Sequence, residues 1–240
     1  MRKKKLETVT LLGVDCLDID RLGYVAEICK ENFEFADVKL LSSKKSKKYE
    51  GIIPIKHLGS TAEYSKFIIE ELDQYVDTPN VLIIQYDGFI LNKDAWMDEF
   101  LEYDYVGAPW LINKWSVETF KIPKDLVGKE VVGNGGFCMR SKKLLSLSAK
   151  LSKDKFFKEC HPEDVVLCIF YRKLLEENGI KFAPVKIAKR FSFEAEDKEN
   201  DKWTDQFGFH GLRWTDISSW LERNKQHKIV NKSSTFLSGY

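Results

Sequence analysis

The chain has next to no net charge. Its 38 lysines and arginines oppose 37 acids, leaving +1 over 240 residues, which removes the bulk electrostatic case for a nucleic-acid partner. Any charged ligand must be met by local groups. The chain also has no C-x-x-C pair. Its five cysteines, at 16, 29, 138, 160 and 168, are odd in number and widely spaced, a pattern of reduced thiols in a cytoplasmic protein rather than of a zinc site or a redox couple. No apolar run approaches the roughly 20 residues of a membrane span. The amino end, MRKKK, starts like a signal peptide, but acids interrupt the sequence before an apolar stretch develops. It reads as a solvated tail, with attraction to anionic lipid at the inner face of the membrane as the other reading. Repeats and low-complexity linkers are missing too, so residues 1–240 are expected to form one domain. What is present, 43% hydrophobic and 13% aromatic residues, is ample for a packed core.

Strand and helix patterns alternate over the first ~90 residues. TVTLLGVD (8–15) is a β-branched, apolar strand ending on Asp15, and IDRLGYVAEICKENF follows with helical spacing. FADVKLLSS (35–43) and GIIPI supply two more strands. STAEYSKFIIEELDQYV (60–76) opens on Ser60 with Glu63 three residues on, a helix start that Thr78-Pro79-Asn80 later stops. Such alternation predicts a doubly wound α/β sheet, which binds ligands beyond the carboxyl ends of its strands. Asp15 and Asp87 both lie at such ends. Later segments predict short helices at DAWMDEFLEY, near 142–151 and over 161–179, then an acidic, disordered-looking stretch, FEAEDKENDKW.

Four stretches carry chemistry. VLIIQYDGFIL (81–91) is apolar on successive residues, as in a strand buried on both faces, and it turns polar at Gln85, Tyr86 and Asp87. A carboxylate on a rigid strand end suits a divalent ion bound to a diphosphate, because phosphate oxygens and water fill the other positions. An Asp-Gly turn closing a hairpin explains the same residues. VVGNGGFCMRS (131–141) sets glycines around Asn134, either to let backbone approach a ligand or to bend a hairpin. It has neither P-loop spacing nor the strand-led Rossmann fingerprint. In HPEDVVLCIFYRKLLEENG, Pro162 suits a first helical position, and Glu163 and Asp164 suit the positive end of the helix dipole. The all-round apolar VVLCIF carries that helix start inward, where two carboxylates need partners and a general base for an alcohol is one use. His210, in FGFHGL, is either an ordinary core histidine or the imidazole that a closing loop presents to a metal.

In this order and spacing, LIIQYDGFI, YDYVGAPW, VVGNGGFCMRS, HPEDVVLC and FGFHG resemble a bacterial family of glycosyltransferase-like proteins with the GT-A fold, over about residues 8 to 212. The resemblance implies an α/β, Rossmann-like, mixed but mainly parallel sheet flanked by helices. Residues 8–105 would form a nucleotide-binding half, 106–212 an acceptor and catalytic half, and 213–240 a C-terminal helix and tail. It implies transfer from a nucleoside-diphosphate sugar to a hydroxyl of a glycan or lipid-linked acceptor, in surface polysaccharide biosynthesis. The family's strand-end Asp-x-Asp holds Mn²⁺ or Mg²⁺ against the diphosphate; here Gln85 stands at the first acid and Asp87 matches the second, which puts strict metal dependence in question. By the same analogy, Asn134, Gly135 and Gly136 line the sugar pocket and Asp15 lies near the base or ribose. Glu163 and Asp164 look like the acidic pair that serves acceptor and base, and His210 like a late metal or phosphate ligand. Trp110 is a sugar-stacking platform or a core residue. With Asp164 as base, configuration at the sugar inverts.

Two enzymatic rivals lack their residues. A sugar-1-phosphate nucleotidyltransferase wants a glycine-rich, arginine-bearing loop where LLGVDCLDIDRLG stands. An aspartyl-phosphate phosphatase wants D-x-D-G-T, where Gln85 and Phe89 stand. A non-catalytic carbohydrate- or nucleotide-binding protein on a decayed GT-A domain is the rival that Gln85 keeps open.

Overall fold

The computed structural model describes residues 3–195 and 202–229. The start of MRKKK, part of the acidic stretch and the end of the C-terminal tail lie outside them. The chain begins β1 (Lys4–Val14), α1 (Ile19–Asn32), β2 (Phe33–Ser42), β3 (Ile53–Pro54), α2 (Thr61–Glu70), β4 (Asn80–Ile84). It continues β5 (Tyr105–Gly107), β6 (Pro109–Leu111), α3 (Lys114–Phe120), β7 (Glu130–Val132), β8 (Cys138–Ser141), α4 (Lys142–Lys153). A main sheet of order β3-β2-β1-β4-β8-β5 results. β1 to β4 are parallel neighbours, β8 runs antiparallel between β4 and β5, and β5 is therefore parallel to β4.

Period-two side-chain alternation splits β4 between two cores. Leu82 and Ile84 pack with α1 and the aromatic cluster of Phe100, Phe137, Phe191 and Phe207. Val81 and Ile83 pack with α2 and α4. All five β4 residues are buried, as successive apolar residues predict. The helix start expected at Ser60 forms: Ser60 accepts from the Glu63 N–H at 3.2 Å while Glu63 accepts from Gly59 at 2.6 Å; α1 is capped by Asp18, which accepts from Asp20 N–H and Arg21 N–H.

Several boundaries differ from the sequence expectations. β1 starts at Lys4, because Lys4 and Lys5 pair outward with Asp98 and Glu34; these two lysines of MRKKK are spent on ion pairs at the opposite rim from Asp15. The strand expected over 81–91 stops at Ile84, where Gln85 and Gly88 exchange backbone hydrogen bonds of 3.0 Å each way around a two-residue turn. DAWMDEFLEY forms two 3-10 turns, Lys93–Ala95 and Asp98–Glu102, not an α-helix. The 161–179 segment is broken: helix α5 (Glu163–Val165), a π turn over Val166–Phe170, then α6 (Arg172–Glu177), and Pro162 is its cap rather than its first helical residue. Then follow α7 (Val185–Phe191), β9 (Ser192–Phe193), β10 (Gly208–Phe209) and α8 (Ser218–Arg223). The expected C-terminal helix is α8 alone among the described residues, with Trp220 buried against the first core.

Candidate active site

Topology brings the motifs together. β1 and β4 are parallel, so Asp15 and the Gln85–Gly88 turn leave the sheet at one rim. Because β8 is antiparallel, its start, Cys138, pairs with Ile83 at the far end of β4, and the Asn134–Gly136 loop enters at that same rim. A separate parallel pair, β9 and β10, then delivers the residue after each strand side by side: Glu194 and His210. The tightness is visible in the glycines. A Cβ on Gly136 would stand 2.1 Å from His210 Nε2, and one on Gly135 2.0 Å from Glu163 Oε1.

Glu194 is the hub of the cluster. Its Oε2 accepts from the Asn134 amide at 2.6 Å and the Trp110 indole at 2.8 Å, and its Oε1 lies 2.7 Å from His210 Nδ1. The other His210 nitrogen, Nε2, faces Gln85 Oε1 at 3.3 Å and Asp87 Oδ1 at 3.7 Å. Burial would lower the His210 pKa, but the Asp87 and Glu194 carboxylates outweigh it and raise the pKa to about 9. The imidazolium in turn, with the hydrogen bonds from Trp110 and Asn134, draws Glu194 below its usual value against the opposing effect of burial. Burial dominates at Asp87 and raises its pKa despite His210. With the ring protonated, Nδ1–H donates to Glu194, so the Asn134 amide 3.0 Å from that nitrogen is a neighbour and not a second donor.

Asp164 is held differently. Its Oδ2 accepts from the Gly135 N–H at 2.9 Å and its Oδ1 from Val165 N–H at 2.8 Å. Burial first and the charge of Glu163 second push its pKa up to about 7, the range in which a carboxyl exchanges protons near neutrality. Glu163, expected to share the acceptor and base roles, instead pairs its Oε1 with Arg140 Nη2 at 2.9 Å. Arg140 is fully buried, so Glu163 is its counter-ion and not a free carboxylate.

Asp15 is likewise engaged within the chain. It accepts from the Leu17 and Asp18 N–H groups and pairs with Arg21 Nε at 2.7 Å. The Arg21 guanidinium lies 3.7 Å from the Tyr86 ring centre, a cation–π contact beside Asp87. Trp110 is half-buried, with its ring against Gly133. The segment that carries His210 is packed into the first core: Phe207 and Phe209 on either side of Gly208 are fully buried.

Sequence reasoning missed Glu194 and Arg140. Glu194 sits in what reads as a disordered acidic stretch, and its one signal is the flanking Phe193 and Ala195. Arg140 is the lone charge within the apolar β8 strand, Cys138–Ser141.

The fit of a divalent cation rests on three donors. Asp87 Oδ1 is buried and accepts no hydrogen bond, and His210 Nε2 stands 3.7 Å from it and 3.3 Å from Gln85 Oε1. Neighbouring ligands of an ion at 2.0–2.2 Å lie roughly 3 Å apart, close to the spacings here, so these donors fit a divalent ion. Among the described residues no three His, Cys, Asp or Glu side chains are grouped to hold a metal. The set is complete only with the Gln85 amide oxygen and with oxygens from ligand or water. Two hollows, of about 600 and 450 Å³, are lined by other residues, among them Trp203 and Arg223, and Val131 and Pro184. A ligand would meet the polar cluster along its partly exposed edge of Gln85, Trp110, Asp164 and His210.

Residues 51–210, two thirds of the chain, match the family described as "Protein of unknown function (DUF5672)", and the chain belongs to that family. No curated protein matches it. Among solved structures it is similar to the galactosyltransferase LgtC in complex with donor and acceptor sugar analogues, at 14% identity, over 91% of this chain and 94% of that one, with a TM-score of 0.50. It is also similar to an active-site glutamine-to-glutamate mutant of LgtC, at 13% identity, over 92% and 97%, with a TM-score of 0.51. The protein thus has the mixed, mainly parallel GT-A-like fold that the motifs imply. At this identity the likeness extends to the fold alone.

Proposed function

We propose that this member of the DUF5672 family is a glycosyltransferase, moving a sugar from a nucleoside-diphosphate sugar to a hydroxyl of a glycan or lipid-linked acceptor. One observation carries the reading: Gln85, Asp87, Asn134, Asp164 and His210, from four distant segments, meet at the carboxyl rim of a GT-A-like sheet. In the transfer, the bond from the anomeric carbon to the diphosphate oxygen breaks with its electron pair going to the diphosphate, and the acceptor oxygen forms the new bond. Asp164 Oδ2 receives the acceptor proton. The imidazolium of His210 faces the leaving group and offsets its developing charge. In place of the Nε2 proton, Asp87, Gln85 and the neutral His210 ring would hold a divalent cation, Mn²⁺ or Mg²⁺, which when bound would supply the neutralisation of the diphosphate instead of the imidazolium. Asn134, fixed at φ +68° by Glu194 and by donation from Phe137 N–H to its Oδ1 at 3.0 Å, and the Gly135-Gly136 backbone border the sugar. Trp110, half-buried, would serve the acceptor as a sugar-stacking platform. Asp15 acts through Arg21 and Tyr86 at the nucleotide side. Attack opposite the leaving group inverts the anomeric configuration, which NMR of the product reads directly.

The decisive experiment is a panel of sugar nucleotides with and without Mn²⁺, followed by donor hydrolysis and transfer. Turnover of one donor supports the reading. A second reading, a non-catalytic binder on a decayed domain, is favoured by the internally satisfied state of Glu163, Asp15 and Glu194. Calorimetric binding of a nucleoside diphosphate without turnover of any donor would select it.

A further inference from the structure

The side-chain amide of Gln85 serves the rim only one way round. Its carbonyl and NH₂ ends have nearly the same shape and exchange by a half-turn of the last torsion, but one accepts hydrogen bonds and the other donates them. His210 Nε2 lies 3.3 Å from Oε1. A protonated nitrogen there, or a cation in its place, is met by the carbonyl and repelled by the NH₂ end. The backbone does not make this choice. Gln85 and Gly88 exchange hydrogen bonds across the turn, which fixes where the side chain starts and leaves its last torsion free.

The other end of the amide makes it. Gln85 Nε2 donates to Tyr64 Oη at 3.0 Å. Tyr64 stands one turn into α2, where its N–H donates to Ser60 O at 3.0 Å, and it is buried in the second core with Phe67 and Ile68, its neighbours at helical spacing. The core holds the ring while the hydroxyl reaches the rim. Burial first, and then the charge of Glu163, keep the phenol well above its ordinary pKa, so the group stays neutral and its oxygen offers lone pairs to the amide proton. Phenylalanine would fill the same core without that acceptor.

We propose that Tyr64 is a positioning residue, whose hydroxyl sets the Gln85 amide so that Oε1 faces His210 and any cation held beside Asp87. Its purpose rests on the transferase reading, because that donor set is the one assigned to the leaving diphosphate. Its geometry is read without a sugar nucleotide.

The test has two parts, both on the full chain. In metal-free protein at neutral pH, with isotope-labelled glutamine and the Gln85 signals assigned through Gln85→Glu, the side-chain amide protons should give stronger NOE cross-peaks to the Tyr64 ring than to the His210 ring. Calorimetric binding of Mn²⁺ should then weaken by about three- to tenfold in Tyr64→Phe, the size of one lost hydrogen bond. Gln85→Glu presents an oxygen whichever way it turns, so adding Tyr64→Phe to it should cost less than about twofold. A role in packing alone would cost the same in both backgrounds and would overturn the proposal, as would amide cross-peaks that favour His210. If the parent binds no Mn²⁺, the cation reading fails by itself and the cross-peaks decide the orientation. Failure of every sugar nucleotide in the panel, with these results intact, would instead count against the transferase reading.

Discussion

His210 Nδ1 stands 2.7 Å from Glu194 Oε1, and the two residues are neighbours because each follows one strand of the same two-residue parallel pair, in the register Phe209 to Phe193. The chain that leaves β4 holds this pair to the rim, through the Ile90–Gly208 bridge and the Gly211 N–H donated to Asp87 O at 2.8 Å. The pair fixes the orientation of the imidazole and leaves Nε2 aimed at Gln85 and Asp87, so the charge state of His210 links stability to the chemistry proposed for the rim.

Stability should depend on pH through this group. The native protein holds a proton on His210 up to about pH 9, whereas the unfolded chain releases it near 6.5. The contribution is therefore complete below about pH 6.5 and lost as pH rises through 9, roughly 3 kcal/mol in all. Asp164 acts in the same direction lower down, since it keeps its proton up to about 7 and the unfolded chain loses it near 3.9. Glu194, with a lowered pKa, contributes the opposite way and is lost on acidification. In metal-free protein the Tm should fall by roughly 5–10 °C between pH 6.5 and 9, and His210→Gln should flatten that fall. An equal slope in the variant would remove His210 as its source.

Asp164→Asn should reduce transfer by about 10²–10⁴-fold with nucleotide binding retained, because the amide still accepts through its oxygen but takes no proton. Kinetics with the donor identified in the panel, beside calorimetry, measures both. Near-normal turnover would place the base elsewhere.

Arg140 and Glu163 should behave as one unit. Arg140→Met leaves a buried carboxylate unpaired and should cost about 3–5 kcal/mol, while adding Glu163→Gln should restore a large part of it. Denaturant titration of the two single variants and the double supplies the coupling energy. Additive losses would mean the 2.9 Å contact is not a functioning pair.

Gly136→Ala places a methyl 2.1 Å from His210 Nε2 and should displace the imidazole. The loss expected is about 1–3 kcal/mol, together with the pH slope described for His210. A fully stable alanine variant with an unchanged slope would show that the loop and the ring are not in contact.

Much of this protein is determined by local sequence. β4 is legible because buried parallel strands need successive apolar residues, and the α2 start because Ser60 offers its oxygen to a free N–H group. Asp87, Asn134, Asp164 and His210 stand out because a carboxylate, a glycine-flanked amide or an imidazole in apolar surroundings needs a partner. Which partner each one has was decided only by the tertiary structure. Glu163 reads as a candidate base until β8 sets Arg140 against it, Asp15 reads as a carboxylate beside the nucleotide until α1 turns Arg21 onto it, and Glu194 is lost in an acidic run until β9 carries it to His210. The reason is physical: periodicity and capping act between residues a few positions apart, whereas hydrogen bonds and charge pairs in this cluster join segments up to 125 positions apart, as from Gln85 to His210, and only the packed sheet brings those together.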